Sequence, residues 1–138
     1  MFRFSQRSID SLKGVHPAIS IVMGAAIQDS PVDFTIVEGV RTTQRQQQLF
    51  AQGRTTPGSI VTNADGVRTL SNHQAKADGL GYAIDLYPFV NGSVQVNDTA
   101  NLRRVAAHIL QKAQQLRINI EWGGNWTSIV DLPHFELK

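Results

Sequence analysis

The sequence predicts an α+β fold, a small and mainly antiparallel sheet packed with helices. Three observations lead there. Residues 17–29 and 98–116 repeat apolar side chains at helical spacing. Residues 33–40, 82–89, 117–122 and 134–137 have strand composition or alternate strictly. At 138 residues the chain has the length of one domain with one core, so residues 1–138 are expected to form a single unit.

Residues 5–13 read as a short helix with Phe4, Ile9 and Leu12 on its apolar side. Ser5 or Ser8 can cap it and Gly14 can end it. His16-Pro17 opens the next helix, with Ile19, Val22, Met23, Ala26 and Ile27 inward and His16 as a loop or capping side chain. After Ser30-Pro31 comes a strand over 33–40, with Phe34, Ile36 and Glu38 on one face. Thr42 or Thr43 caps a glutamine-rich helix to about residue 52, with Leu49 and Phe50 inward and Gly53 as its stop. Residues 53–70 are rich in turn formers, and 60–62 offer one short strand. A loop of this length in a small domain belongs to a site or stays unstructured.

Residues 82–89 are the clearest strand. Ile84 and Leu86 point one way, while Ala83, Asp85 and Tyr87 point the other. Pro88 and Asn91-Gly92 are expected to end it and turn the chain. Asp98 caps the longest helix, to about residue 116, with Leu102, Val105, Ala106, Ile109, Leu110, Ala113 and Leu116 buried. His108 falls on the opposite, solvent-facing side. Residues 117–122 read as a strand, Gly123-Gly124-Asn125-Trp126 as a turn, and 134–137 as a last strand with His134 and Glu136 on one face. For the two tryptophans flanking that turn, a packed corner and a cleft wall are equally open.

Several function classes fall away. With no cysteine, thiolate metal sites, cysteine nucleophiles and disulfides are excluded. The net charge of +2 is too small to argue for nucleic acid, and no basic stripe or reader motif appears. No apolar stretch is long enough to insert stably in a membrane. The first residues lack the basic-then-apolar order of a signal peptide, which predicts synthesis and folding in a cytoplasm.

The chemistry gathers in two stretches, Ser71-Asn72-His73-Gln74 with Gly81-Tyr82-Ala83-Ile84-Asp85, and the tail Asp131-Leu132-Pro133-His134-Phe135-Glu136. A carboxylate in the middle of a strand, as at Asp85, needs a cation, a metal or several donors, because burying it unpaired costs several kcal/mol. With His16 and His108 set aside, His73 and His134 remain, each with a carboxylate nearby. Two imidazoles and one carboxylate, with a fourth position left for water, make a catalytic zinc shell. A second carboxylate outside the shell can move the proton. Pro133 restrains Leu132 to extended geometry and so holds Asp131 and His134 at a set separation. Taken alone, such spacings recur by chance, and neither histidine pair has the one-turn spacing of a zincin helix. Arg41, where a strand meets a helix, is either an ion-paired surface arginine or a cation that grips a substrate carboxylate or polarises a carbonyl.

Ser71-x-His73 with Gly81-x-Ala83-x-Asp85 resembles the S-x-H…G-x-A-x-D signature of the VanY and D-Ala-D-Ala metallopeptidases, and Asp131-x-x-His134 resembles its partner motif. Residues 33–42, then Gln46, Leu49 and Gly53, and Trp122-Gly123-Gly124-Asn125-Trp126, resemble the phage-endolysin branch, whose members are L-alanyl-D-glutamate endopeptidases of peptidoglycan. The resemblance covers nearly the whole chain. It implies a hedgehog/D-Ala-D-Ala-peptidase-like fold with the strands around Asp85 and His134 side by side. It implies one zinc ion per chain on His73, Asp85 and His134, Asp131 as general base, Arg41 as a substrate or transition-state contact, and Ser71 as a lesser substrate-binding residue. The partner implied is peptidoglycan, met by a monomer made in a host bacterial cytoplasm and acting on the wall after release. The same metal chemistry serves a D,D-carboxypeptidase or dipeptidase, and the same fold a non-catalytic wall-binding domain. Residues 75–79 lengthen the link between His73 and Asp85 beyond the family's shortest form, which leaves the placement of His73 open.

Overall fold

The strand with the clearest alternation lies inside the sheet. In the computed structural model, which describes residues 1–138, the strands are β1 (Phe34–Glu38), β2 (Ala83–Val90), β3 (Ser93–Val94), β4 (Ile120–Trp122) and β5 (His134–Leu137). All pairs are antiparallel, in the order β1-β2-β5-β4, with β3 on the C-terminal end of β2. Asp85 and His134 are direct cross-strand partners, and Ile84 faces Phe135 in the next step of the ladder.

Alternation along β2 sorts two faces. Ile84 and Leu86 are fully buried and join Phe34, Ile36 and Phe135 beneath two helices, α2 (Pro17–Gln28) and α4 (Thr99–Leu116). The apolar faces of those helices supply Ile19, Val22, Met23, Val105 and Ile109 to the same core. Each such side chain contributes roughly 1.5–3 kcal/mol by leaving water. The opposite face of β2 carries Asp85 and Tyr87 and stays open as a cleft.

Two further helices are short. The helix α1 (Gln6–Ser11) starts at Ser5, whose Oγ accepts from the Ser8 amide. Ser8 is buried, and its Oγ accepts from the Ile36 amide at 3.0 Å, so α1 covers part of the free edge of β1. Ile9, expected inside, is exposed. The helix α3 (Thr43–Ala51) is capped by Thr42. Its buried residue is the polar Gln46, while Leu49 and Phe50, expected inward, are only half-buried.

Other departures have local causes. Glu38 does not share the face of Ile36. A bulge between them shifts the register so that Ile36 opposes Leu86 and Glu38 opposes Asp85, which turns Glu38 toward the cleft. Pro88 lies within β2 and does not end it. Pairing with β5 stops at Asp85, apart from the Leu86 amide on the Pro133 carbonyl, and on the same edge the pairing with β3 stops at Phe89, where the Gln95 amide still donates to the Pro88 carbonyl at 2.8 Å, so the proline sits at the gap between two neighbours. Asn91 and Gly92 have φ of 54° and 81°, a two-residue turn that adds the unforeseen β3. Residues 60–62 form no strand. Leu116 is exposed, and Arg117 adopts a left-handed φ of 58° that ends α4, so β4 starts only at Ile120. His108 does not face solvent freely: its Nε2 meets the Ala26 carbonyl at 3.0 Å and Asp29 at 3.1 Å, tying α4 to the end of α2.

Candidate metal centre

Three segments remote in sequence deliver the site. β2 carries Asp85 and β5 carries His134 beside it. His73 arrives on a tight turn held from two sides. The Gly39 carbonyl lies 2.8 Å from its Nδ1, and the Arg41 amide donates to its carbonyl at 2.8 Å. On the other side the Tyr82 amide donates to the Asn72 carbonyl at 2.7 Å. Ser71 Oγ accepts from the His73 amide at 3.2 Å, so this serine shapes the turn as well as lining the cleft. The extra residues 75–79 form an exposed excursion closed by the Lys76 amide on the Leu80 carbonyl, and they leave His73 and Asp85 together.

The tautomers follow from the partners. A carbonyl only accepts, so His73 Nδ1 carries the proton and its Nε2 lone pair faces inward. His134 Nε2 donates to Glu136 Oε1 at 2.7 Å, which leaves Nδ1 facing inward. His73 Nε2 and His134 Nδ1 are 3.2 Å apart, and they lie 3.3 and 3.4 Å from Asp85 Oδ1. That oxygen is buried and makes no hydrogen bond. Two ring nitrogens and a carboxylate oxygen this close need a positive charge among them, either a proton on His134 Nδ1 or a metal ion in its place. A tetrahedral shell with bonds of about 2.0–2.1 Å spaces its donors by roughly 3.3 Å. The donor set and its spacing therefore fit a metal ion, and these three residues can hold one.

The surrounding charges agree. Burial pushes the Asp85 carboxyl up, but His134 and His73 beside it more than reverse this and hold it well below the carboxylate range. Burial pulls His134 down, yet Asp85 and Glu136 lift it to about 9. The negative groups that hold a proton there also attract a cation, and a metal must displace that proton from the same lone pair. Asp131 stands at the rim, with Oδ2 3.9 Å from His134 Nδ1. Burial and the charge of Asp85 raise its carboxyl, opposed by His134, His73 and Arg41.

Arg41 sits at the back of the cleft, mostly buried. Its Nε and Nη2 bind both oxygens of Glu38 at 2.7 and 3.0 Å, and Nη1 binds Gln46 at 2.8 Å. Its Nη2 also lies 3.7 Å from Asp85 Oδ2. Of the two readings of this residue the ion pair is present, and the arginine also lines the cleft. The tryptophans divide the two roles left open for them. Trp122 stacks on Phe135 in the core, while Trp126 lies over His134 at 4.9 Å and lines the cleft, its indole N–H on Glu121.

The cleft has a volume of about 540 Å³. Residues of the 53–70 loop, Val61 to Ala64 and Leu70, form one wall, and Trp126, Ser128 and Ile129 line it as well. The loop is pinned by two buried glutamines. Gln46 donates to Thr62 Oγ1 and the Ala64 carbonyl, and Gln74 donates to Thr43 Oγ1 and the Gly66 carbonyl. Sequence reasoning missed both glutamines, Glu38, Asn72, Tyr87 and the role of Glu136. Alternation places Tyr87 on the face of Asp85 and Glu136 on that of His134, and Gln46 stands among the residues of the family resemblance, but no role follows for any of them.

An antiparallel sheet with two histidines and an aspartate converging in a polar cleft, and an acidic side chain at the rim, defines a metallopeptidase-type site. The chain belongs to the phage L-alanyl-D-glutamate peptidase family, whose model matches residues 1–137. It is 30% identical over 137 residues to the L-alanyl-D-glutamate peptidase of Escherichia phage T5, covering 99% of this chain and 90% of that protein. It is 30% identical over 131 residues to the peptidoglycan L-alanyl-D-glutamate endopeptidase CwlK of Bacillus subtilis, covering 89% of this chain and 73% of that protein. Among solved structures it resembles the Serratia marcescens L-Ala D-Glu endopeptidase ChiX, with a TM-score of 0.73 and 26% identity, covering 99% of this chain and 90% of that one.

Proposed function

We propose that this protein is a zinc endopeptidase that hydrolyses the L-Ala–D-Glu bond of peptidoglycan stem peptides. The observation that carries the reading is the convergence of His73, Asp85 and His134 beneath Asp131, in a chain of this family. One zinc ion on these three side chains would supply a Lewis acid and lower the pKa of a water from about 15.7 to about 7. Two nitrogens and one oxygen with a position left open suit zinc better than magnesium or calcium, which prefer oxygen shells.

The chain's own residues do the rest. Asp131 accepts the proton of the attacking water and returns it to the leaving amine, and its raised carboxyl suits a group that must hold that proton between steps. Arg41 has five N–H donors, and three are engaged with Glu38 and Gln46. The remaining two are assigned to the substrate, beside the carbonyl that gains charge. Ser71 makes a lesser substrate contact from the cleft edge. The polymer is met by a monomer, made in a host cytoplasm and acting on the wall after release. No helix is long and apolar enough to cross a membrane.

Purified protein on defined muropeptides, with and without chelator, tests the reading. Zinc-loaded enzyme is expected to release L-alanine-terminated and D-glutamate-started fragments and to stop when zinc is removed. Free D-alanine as the product would replace this reading with a carboxypeptidase. Zinc binding with no cleavage of any stem peptide would leave only a wall-binding domain. Asp131→Ala is expected to retain zinc and lose turnover; loss of zinc affinity in that variant would remove Asp131 from the role of base.

A further inference from the structure

Resting on the zinc reading above, we propose that Glu136 and Asn72 are positioning residues of the metal centre. The Glu136 carboxylate, held by Asn72, sets the ring orientation and tautomer of His134 and strengthens its Nδ1 as a donor.

Glu136 is only 4% exposed, deep for a carboxylate, and burial at that depth requires partners. Strand alternation carries it to the face of His134, two residues along β5. Its Oε1 lies 2.7 Å from His134 Nε2. Its Oε2 accepts from Asn72 Nδ2 at 2.8 Å and lies 3.3 Å from Lys138 Nζ. The lysine is half-exposed, so its contact competes with water. Asn72 is fixed at its backbone by the Tyr82 amide and is the neighbour of His73. One side chain of the first ligand segment therefore holds the group that orients the ligand on the other.

The two histidines are not equivalent. His73 donates its outer proton to a neutral carbonyl, that of Gly39, whereas His134 donates to a carboxylate. An imidazole sharing its proton with an anion is the more basic donor at its other nitrogen, and loss of such a partner lowers metal affinity by about 10–100-fold. Without Glu136, moreover, nothing selects the tautomer that keeps Nδ1 free. The ring would be free to carry its proton on the nitrogen that faces His73.

The test is zinc affinity of the full chain, measured by competition with a chromogenic chelator, for wild type, Glu136→Ala, Glu136→Gln and Asn72→Ala. Absorption spectra of the cobalt-substituted proteins and unfolding midpoints without metal accompany it. Glu136→Ala is expected to bind zinc about 10–100-fold more weakly and to shift the cobalt bands. Glu136→Gln should lose less, because its amide oxygen still accepts the Nε2 proton, and Asn72→Ala should lose several-fold. If Glu136→Ala does not fold, the other two variants carry the decision. Wild-type zinc affinity and cobalt spectra in the variants, whatever their stability, overturn this inference alone. A wild-type protein that takes up no zinc overturns the metal reading itself and this inference with it.

Discussion

A methyl group on residue 123 would run into the Asp131 carbonyl oxygen and crowd the β-carbons of Asp131 and His134 at 3.1 Å. Gly123 also accepts from the Asp131 amide at 3.0 Å, so the turn after β4 seats the proposed base directly. Gly123→Ala is expected to lower stability by about 1–3 kcal/mol, as overpacking does, and to reduce turnover more than zinc content. Urea unfolding and metal analysis check this; a variant as active and as stable as wild type would remove Gly123 from the account. At the same scale, Asp85 is the half-buried anion whose buried Oδ1 faces two ring nitrogens. Asp85→Ala is expected to abolish zinc binding while the sheet stays folded, read by metal stoichiometry and circular dichroism. Retained zinc would mean the shell is built from other groups. Asp85 was legible because a strand carboxylate demands a cation. The burial of Gln46 was not, because helix period and composition do not say which of several glutamines turns inward, and the family resemblance marked the residue without its role.

Among the elements, the 53–70 loop is the one whose order depends on others. It contributes no strand, and its position rests on Gln46, Gln74 and turn bonds such as those to Asp65 Oδ1. Gln46→Leu keeps the volume but leaves the Ala64 carbonyl and one Arg41 N–H without partners. Each buried group so stranded costs about 1–3 kcal/mol. Faster amide hydrogen exchange across residues 53–70 is expected, with a rise in KM exceeding the fall in kcat. Unchanged exchange in the loop would show that Gln74 and the turns suffice. Helix starts were readable to within a choice of neighbours because each depends on one local acceptor: Ser5, His16, Thr42 and Asp98, each among the candidates, are the caps. Strand limits were less so. The bulge at β1, Pro88 inside β2 and the late start of β4 depend on where a neighbouring strand begins and stops.

For the whole molecule, the proposed zinc shell joins residues 73, 85 and 134, which lie on separate segments of the chain. A ligand that binds only the folded state stabilises it by about 4 kcal/mol when present at about a thousandfold above its Kd. Zinc is therefore expected to raise the thermal midpoint by roughly 10 °C or more, and chelation to reverse the rise. A midpoint indifferent to zinc would count against a shell spanning the fold. Phe135→Ala, in the core beneath the same strand, is expected to cost about 3–5 kcal/mol with zinc or without it. The pair of measurements separates stabilisation by the site from stabilisation by the core.

By itself the sequence determined the α+β fold class, candidate residues for each helix cap, the strand faces of Asp85 and His134, and the His73, Asp85 and His134 set that the structure brings together. These follow from short-range rules of alternation, helical period and capping, and from motifs in a fixed order. The tertiary structure alone decided that Asp85 and His134 stand opposite each other in register, that the bulge swings Glu38 onto Arg41, and that Asn72 reaches Glu136. Those are long-range matches between segments. They depend on register and packing, which no local pattern in the chain encodes.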